Sequence, residues 1–144
     1  KLNEIPHYLI DEISPEEEKC LFKIGGLVQI CNDVFDVSKD LKEGVRTILT
    51  EAHDIQIVHS KIDQLQKDTF GFCKSKFPGK NMDVLLEQIK FIVSQSLVAL
   101  NFYQTTQNNN GKNFTPQKYP REALICDMGK KLNLLRAGFY WITK

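Results

Sequence analysis

The sequence contains little glycine or proline, with 8 and 5 residues in 144, and no apolar run approaches the roughly 20 residues that span a bilayer. This composition excludes collagen-like and low-complexity chains and predicts no membrane span. An excess of one charge is also missing, since 19 lysines and arginines stand against 18 aspartates and glutamates. The balance gives no bulk electrostatic reason to expect nucleic acid or an anionic membrane as partner.

Metal-site and disulfide patterns are absent from the cysteines. They are scattered, without a Cys-x-x-Cys pair, at Cys20, Cys31, Cys73 and Cys126. Three of them lie in apolar helical patterns, which favours small core residues in a reducing compartment over a disulfide framework or a zinc site. The sequence also shows no signal or transit peptide pattern, and we therefore expect a cytoplasmic protein.

Helical periodicity runs through the chain without any persistent strand-like alternation, so residues 1–144 are predicted to form a single all-α unit, a helical bundle. Ser14 to Glu17 predicts a capping box that opens a helix reaching about Asp40, followed by a polar loop over 41–47. Asp54 predicts the start of a second helix ending near Lys76, before the breaker Pro78-Gly79. Before the first helix, residues 2–12 are predicted to form an irregular or helical approach. A third helix is predicted from Asn81 or Asp83 to about Thr106, followed by a polar loop over 107–113. The chain is predicted to end with a short helix after Pro120 and an amphipathic segment over 131–142.

The stretch from Gly25 to Asp40 combines wide apolar coverage with acids. On an α-helix, one arc of about 100° holds Gly25, Gln29, Asn32, Asp33, Asp36 and Asp40. The remaining circumference is mostly apolar, which is typical of a helix inside a bundle. Buried carboxylates need a compensating charge, and divalent cations held by oxygen ligands at such helical spacing supply it. The alternative is an amphipathic helix whose acids face water.

Two glycines interrupt this helix without ending it. Each mid-helix glycine costs about 1 kcal/mol relative to alanine. The pair Gly25 and Gly26 therefore indicates close helix packing or a bend beside a ligand.

These residues resemble the second aspartate-rich region of class I isoprenoid synthases. The trans-prenyl diphosphate synthases carry Gly-x-x-x-Gln-x-x-Asp-Asp-x-x-Asp followed by Gly-Lys-x-Thr. Here that register holds Gly25, Gln29, Asn32, Asp33 and Asp36, followed by Gly44-Val45-Arg46-Thr47. Class I terpene synthases instead carry Asn-Asp, a hydroxyl residue four positions after the Asn and a Glu four later. Here these positions hold Asn32, Asp33, Asp36 and Asp40. The chain lies between the two patterns.

The resemblance implies a Mg²⁺-dependent prenyltransferase or terpene synthase that ionises an allylic prenyl diphosphate, of which this chain forms the C-terminal half. Asn32, Asp33, Asp36 and Asp40, here named the acidic stripe, would bind Mg²⁺. Gln29 would orient a ligand, and Lys39 and Arg46 would neutralise phosphate. The resemblance also suggests Tyr119 and Arg121 for diphosphate binding, in reversed order relative to terpene synthases. The alternatives are a solvated ion pair with Asp36 or Glu43 for Lys39, and a helix-start salt bridge for Arg121.

The earlier aspartate-rich motif of the family is not found in the sequence. The resemblance therefore implies a missing N-terminal half or a complementary chain as partner, allows a homodimer, and predicts no turnover by the lone chain. Two alternatives stay open: a non-catalytic isoprenoid-synthase-like subunit or regulatory helical partner, and an unrelated helical bundle whose acids face solvent.

Overall fold

The computed structural model describes residues 13–111 and 113–143, which form helices and connecting turns with no strand among them. The prediction of an all-α chain is confirmed. The approach predicted over residues 2–12 lies outside the described residues. In chain order the elements are α1 (Pro15–Glu43), α2 (Ile55–Lys76), α3 (Lys80–Asn110), the 3-10 turns Pro116–Lys118 and Arg121–Leu124, and α4 (Lys131–Thr143).

The predicted capping box of α1 is present. Ser14 Oγ accepts a hydrogen bond from the Glu17 N–H at 3.3 Å, and the Glu17 carboxylate accepts one from the Ser14 N–H at 2.8 Å. The Ser14 hydroxyl also donates to the Glu17 carboxylate at 2.7 Å, and this bond, followed by the one from the Ser14 N–H, lowers the pKa of Glu17. The helix continues three residues past Asp40, so the predicted loop is wrong over 41–43. It ends at Gly44, whose φ of 69° is left-handed, a conformation that glycine adopts without steric cost.

The start of α2 is held by its own cap and by a side chain of α3. Asp54 Oδ1 accepts from the Gln56 N–H at 3.0 Å, which confirms the predicted cap. The Ile55 N–H donates to Oε1 of Gln107, also at 3.0 Å, and Gln107 is only 5% exposed. Gln107 is therefore part of α3, and the helix extends to Asn110. The polar loop predicted over 107–113 is therefore wrong for its first four residues.

The core lies where α1, α2 and α3 pack against one another, and α4 packs on α3. Tyr103 of α3 is fully buried at this centre, and its hydroxyl lies 2.9 Å from the carbonyl of Val34 and 3.2 Å from that of Leu124. Burial, with a smaller effect of nearby Cys126 and Asp36, raises the pKa of this phenol, so it remains a proton donor. One side chain thus joins α3, α1 and the second 3-10 turn.

The cysteines correct one expectation. All four are buried, as predicted, but Cys20 of α1 and Cys73 of α2 form a disulfide, with Cα atoms 5.6 Å apart. Residues 53 positions apart meet because the first turns of α1 lie beside the last turns of α2, which sequence spacing did not reveal. Cys31 and Cys126 are free thiols. The disulfide removes the cysteine argument for a reducing compartment.

Within the described residues, none of the helices combines the length and the apolar composition needed to cross a lipid bilayer.

The substitution Gln107→Ala tests the contact between α3 and the start of α2. We expect the free energy of unfolding to fall by about 1–3 kcal/mol, because the buried Ile55 N–H loses its acceptor. Urea denaturation monitored by circular dichroism measures the change. The matched control is Gln104→Ala, one turn earlier on α3, where the side-chain amide donates to Oδ1 of Asn108 on the same helix at 3.1 Å. Equal effects of the two substitutions would contradict a specific role for Gln107.

Candidate functional site

The acidic stripe lies largely at the surface of the described chain. Asn32 and Asp36 are exposed, Asp33 is half-buried and Asp40 is 8% exposed. The expectation that the stripe is buried inside a bundle is therefore wrong for Asn32 and Asp36, because α2 and α3 pack against the other faces of α1. The apolar residues around the rest of the helix are buried or half-buried, as expected: Leu27, Val28, Ile30, Cys31, Val34, Phe35 and Val37.

The carboxylates of the stripe form no ion pair with a lysine or arginine of the described chain. Gln29 Nε2 donates to Asp33 Oδ1 at 2.8 Å, so these two predicted site residues are brought together. The pKa of Asp40 is raised, first by its desolvation and then by the negative charges of Asp33 and Asp36, while Lys39 acts in the opposite direction. The repulsion of Asp40 by the two other acids favours the binding of a cation. The ion pair considered as an alternative for Lys39 does not occur among the described residues.

The loop after α1 returns beside the carboxyl end of the stripe. The Val45 N–H donates to the Asp40 carbonyl at 2.8 Å, in a Schellman-type turn around the left-handed Gly44. Arg46 follows directly, and its Nη2 donates to Glu51 Oε2 at 2.9 Å in an exposed pair that raises the pKa of Arg46. Exposed pairs of this kind are weak, so the guanidinium can exchange Glu51 for another anion.

No ion pair joins Arg121 to the stripe in the described chain, and the hydrogen bonds of the Tyr119 hydroxyl go to its own loop, although the turn Arg121–Leu124 packs against α1. Tyr119 is half-buried, and its hydroxyl accepts from the Thr115 N–H at 3.4 Å and lies 3.3 Å from the Asn113 carbonyl. Its ring packs edge-on against Phe114. Arg121 is exposed and forms no ion pair with a described residue, so the salt bridge considered as its alternative is not observed. A diphosphate role for either residue stays a prediction.

The donor atoms of the stripe suit Mg²⁺, although their arrangement supplies only part of a coordination shell. Mg²⁺ prefers oxygen ligands, and the stripe offers one amide and three carboxylate groups. Among the described residues, no three His, Cys, Asp or Glu side chains converge on a point that could hold a metal. Waters and phosphate oxygens commonly complete the shell of protein-bound Mg²⁺. The stripe therefore fits a metal shared with a phosphate ligand.

An apolar, open stretch precedes the stripe on the same side of α1. Phe22 is 81% exposed and Leu21 is 56% exposed, while a Cβ added at Gly25 or Gly26 would meet no atom within 4 Å. The predicted close helix packing at the glycines is therefore not found in the described chain. Seen down the helix axis, Phe22 and Gly25 lie within the arc of about 100° that also holds Asp36. Leu21 and Gly26 lie within about 20° of the edges of that arc. The sequence could have revealed the apolar residues of this side if the same helical arc had been extended one turn toward the N-terminus from Gly25.

This side of α1, from Leu21 to Asp40, is here named the open face. Its N-terminal half is apolar and its C-terminal half is acidic.

The substitutions Gly25→Ala and Gly26→Ala test whether the apolar half of the open face is free of packing. Each is expected to raise the free energy of unfolding by about 0.5–1 kcal/mol, because alanine favours a helix and its Cβ enters open space. Urea denaturation provides the measurement. The control is Gly44→Ala, which should destabilise the chain because the φ of 69° strains any residue with a Cβ. Destabilisation by either helical alanine would show that another part of the chain covers the face.

The substitution Asp40→Asn tests the electrostatics of the stripe. Since the pKa of Asp40 is raised on folding, the native state binds its proton more tightly than the unfolded chain, and ionisation at neutral pH lowers stability. We expect Asp40→Asn to raise the urea midpoint at pH 7. The gain should shrink as the pH falls through the folded-state pKa and disappear below the unfolded-state pKa.

Asp68→Asn is the matched control for this substitution, because Asp68 is exposed on α2 and accepts a hydrogen bond from Gln64 just as Asp33 does from Gln29. Its urea midpoint at pH 7 should rise less than that of Asp40→Asn, because its side chain is exposed to water. A midpoint of Asp40→Asn that falls below that of the unsubstituted chain at pH 7 would refute the proposed repulsion.

In comparisons with known proteins, no family model, curated protein or solved structure matches the chain. What the protein does is therefore inferred from the open face of α1 and from the resemblance of its residues to the isoprenoid synthase pattern.

Proposed function

We propose that the open face of α1 is one wall of a Mg²⁺-dependent prenyl diphosphate site, and that the chain acts in isoprenoid biosynthesis of the prenyltransferase or terpene synthase type. The observation that carries the proposal is the division of this exposed face into an apolar half and an acidic half without ion pairs. Phe22 and Asp36 are 14 residues apart, or about 21 Å along the helix. A ligand with a hydrocarbon tail and an anionic, metal-bound head matches that division.

At the acidic end, Asn32, Asp36 and Asp40 would hold Mg²⁺, with Asp33 as a further ligand or as an acceptor that orients Gln29. Mg²⁺ bound there would neutralise the diphosphate and favour its departure as a leaving group. The raised pKa of Asp40 supports this assignment, because a cation relieves the repulsion that causes the shift.

The basic residues of this end would bind the phosphate oxygens. Arg46 would exchange its exposed partner Glu51 for two phosphate oxygens, a geometry that guanidinium groups favour. Lys39, which is exposed one residue before Asp40, would add a point charge. The loop turn at Gly44 supports these roles by keeping Arg46 beside the end of the stripe.

At the apolar end, Phe22 and the two open glycines would face the hydrocarbon tail. A residue as exposed as Phe22 contributes little to the stability of the described chain, and its exposure favours contact with another group. The ionisation of an allylic diphosphate requires a site closed to water, and α1 supplies a single wall. The proposed partner is an N-terminal half or a complementary chain that carries the opposite wall.

A non-catalytic role as an isoprenoid-synthase-like subunit or regulatory helical partner is the second candidate. It is favoured by the absence of a converging metal group among the described residues and by the exposure of Phe22. In this case, the open face would bind a synthase chain without contributing ligands to its metal.

The substitution Asp36→Ala tests the metal and diphosphate site. We expect Mg²⁺ together with inorganic diphosphate to raise the melting temperature of the unsubstituted chain by several degrees, since ligand at ten times its Kd stabilises by about 1.4 kcal/mol. Asp36→Ala should lose this response, whereas the control Asp68→Ala on α2 should retain it. Differential scanning fluorimetry with Mg²⁺ alone, diphosphate alone and both together provides the measurement.

The outcomes separate the candidates. No thermal shift with any combination would favour a helical bundle whose acids are merely solvated. A shift lost in Asp36→Ala, with diphosphate released from an allylic prenyl diphosphate once the complementary half is added, would support the enzyme. Binding of a synthase chain with neither thermal shift nor dependence on Asp36 would support the non-catalytic role.

A further inference from the structure

One side of α4 carries a largely exposed apolar row, of which Leu135 and Phe139 line an open groove with Val98 and Phe102 of α3. Leu132, Leu135, Phe139 and Ile142 are 58%, 72%, 66% and 78% exposed, and they follow one another at helical spacing. The single buried residue of α4 is Ala137, on the opposite side. We name the four exposed residues the outer row.

The orientation of the outer row is fixed by contacts between the opposite side of α4 and α3. Asn101 Nδ2 donates to the hydroxyl of Tyr140 at 2.7 Å, and Trp141 Nε1 donates to Glu87 Oε2 at 3.1 Å. The Trp141 ring also packs edge-on against Phe91, with centroids 6.0 Å apart. The outer row therefore stays largely exposed, because Tyr140 and Trp141 make the contacts with α3 on the inner side of the helix.

The charge of this part of the chain is uneven. Residues 128–144 contain four basic and no acidic residues, a net charge of +4, whereas the chain as a whole has +1, which leaves −3 for residues 1–127. The nearest acid upstream, Asp127, accepts a hydrogen bond from the Gly129 N–H at 2.8 Å. Residues 128–144 are therefore cationic, although the net charge of the whole chain is small. The basic residues among them are Lys130, Lys131, Arg136 and Lys144.

We propose that α4 lies on an anionic lipid surface, with its outer row submerged at the boundary between headgroups and acyl chains. An apolar row bordered by Lys131 and Arg136 is the arrangement by which amphipathic helices bind such surfaces. The helix has 13 residues, about 20 Å, which suits a position parallel to the bilayer rather than across its roughly 30 Å core. The charge complementarity is local and is independent of the isoprenoid proposal.

A second copy of the chain is a less suitable occupant of the same surface. A parallel two-fold contact between two α4 helices would bring Lys131 and Arg136 near their own copies, an antiparallel one centred on the outer row would bring Arg136 near its own copy, and the helix has no acid to pair with them. Like charges in such a contact are destabilising, whereas anionic headgroups neutralise them at about 1 kcal/mol per basic residue.

Co-sedimentation with lipid vesicles tests the proposal. The chain should sediment with vesicles of phosphatidylcholine and phosphatidylglycerol, and less with phosphatidylcholine alone or at high salt. The double substitution Leu135→Gln with Phe139→Gln should reduce the partition coefficient by about tenfold or more, because both side chains lose their favourable transfer from water. Lys131→Gln with Arg136→Gln should reduce binding several-fold and weaken its salt dependence. The matched control is Ile57→Gln on α2, which is 62% exposed and should bind as the unsubstituted chain does.

Circular dichroism of each variant establishes that it is folded, which is expected because the substituted side chains are exposed. Failure of the unsubstituted chain to sediment with anionic vesicles would overturn the proposal. So would unchanged sedimentation of the outer-row variant, or an equal loss in Ile57→Gln. A dimer in analytical ultracentrifugation that the outer-row variant dissociates, without vesicle binding, would assign the surface to a second copy instead.

Discussion

The buried hydroxyl of Tyr103 is the interaction on which the arrangement of the chain depends. It lies within hydrogen-bonding distance of the carbonyls of Val34 and Leu124, so α3, α1 and the turn after α3 meet at one polar atom in the core. A buried hydroxyl without a partner would cost more than the bond contributes, which makes this geometry specific. It directs Val34 inward and thereby turns the opposite side of α1, including Asp36, away from the core.

The open face that results has an energetic cost that the described chain does not offset. Asp33 and Asp36 repel the carboxylate of Asp40, none of the three forms an ion pair with a lysine or arginine of the described chain, and two helical glycines lower helix propensity without permitting a closer contact. A face that only had to be solvated would tolerate alanine and lysine at these positions. The proposed ligand or partner, which would need both carboxylates and open space, would account for the costs at both ends of the face.

Local signals determined the parts of the fold that could be predicted from the sequence. The capping box at Ser14 and the cap at Asp54 act through neighbouring backbone groups, so their residue types predict helix starts correctly. The extension of α3 to Asn110 could not be predicted, since it depends on Gln107 reaching Ile55, 52 residues away. The Cys20–Cys73 disulfide was missed for the same reason, because its two halves approach only through helix packing.

At the candidate site, too, the sequence predicted the relations within one helix but not the packing of other helices around it. Helical spacing placed Gln29 beside Asp33 and the acids on one side of α1, since such relations are fixed within a helix. Which side is covered depends on α2 and α3, and Asn32 and Asp36 proved exposed where burial was expected.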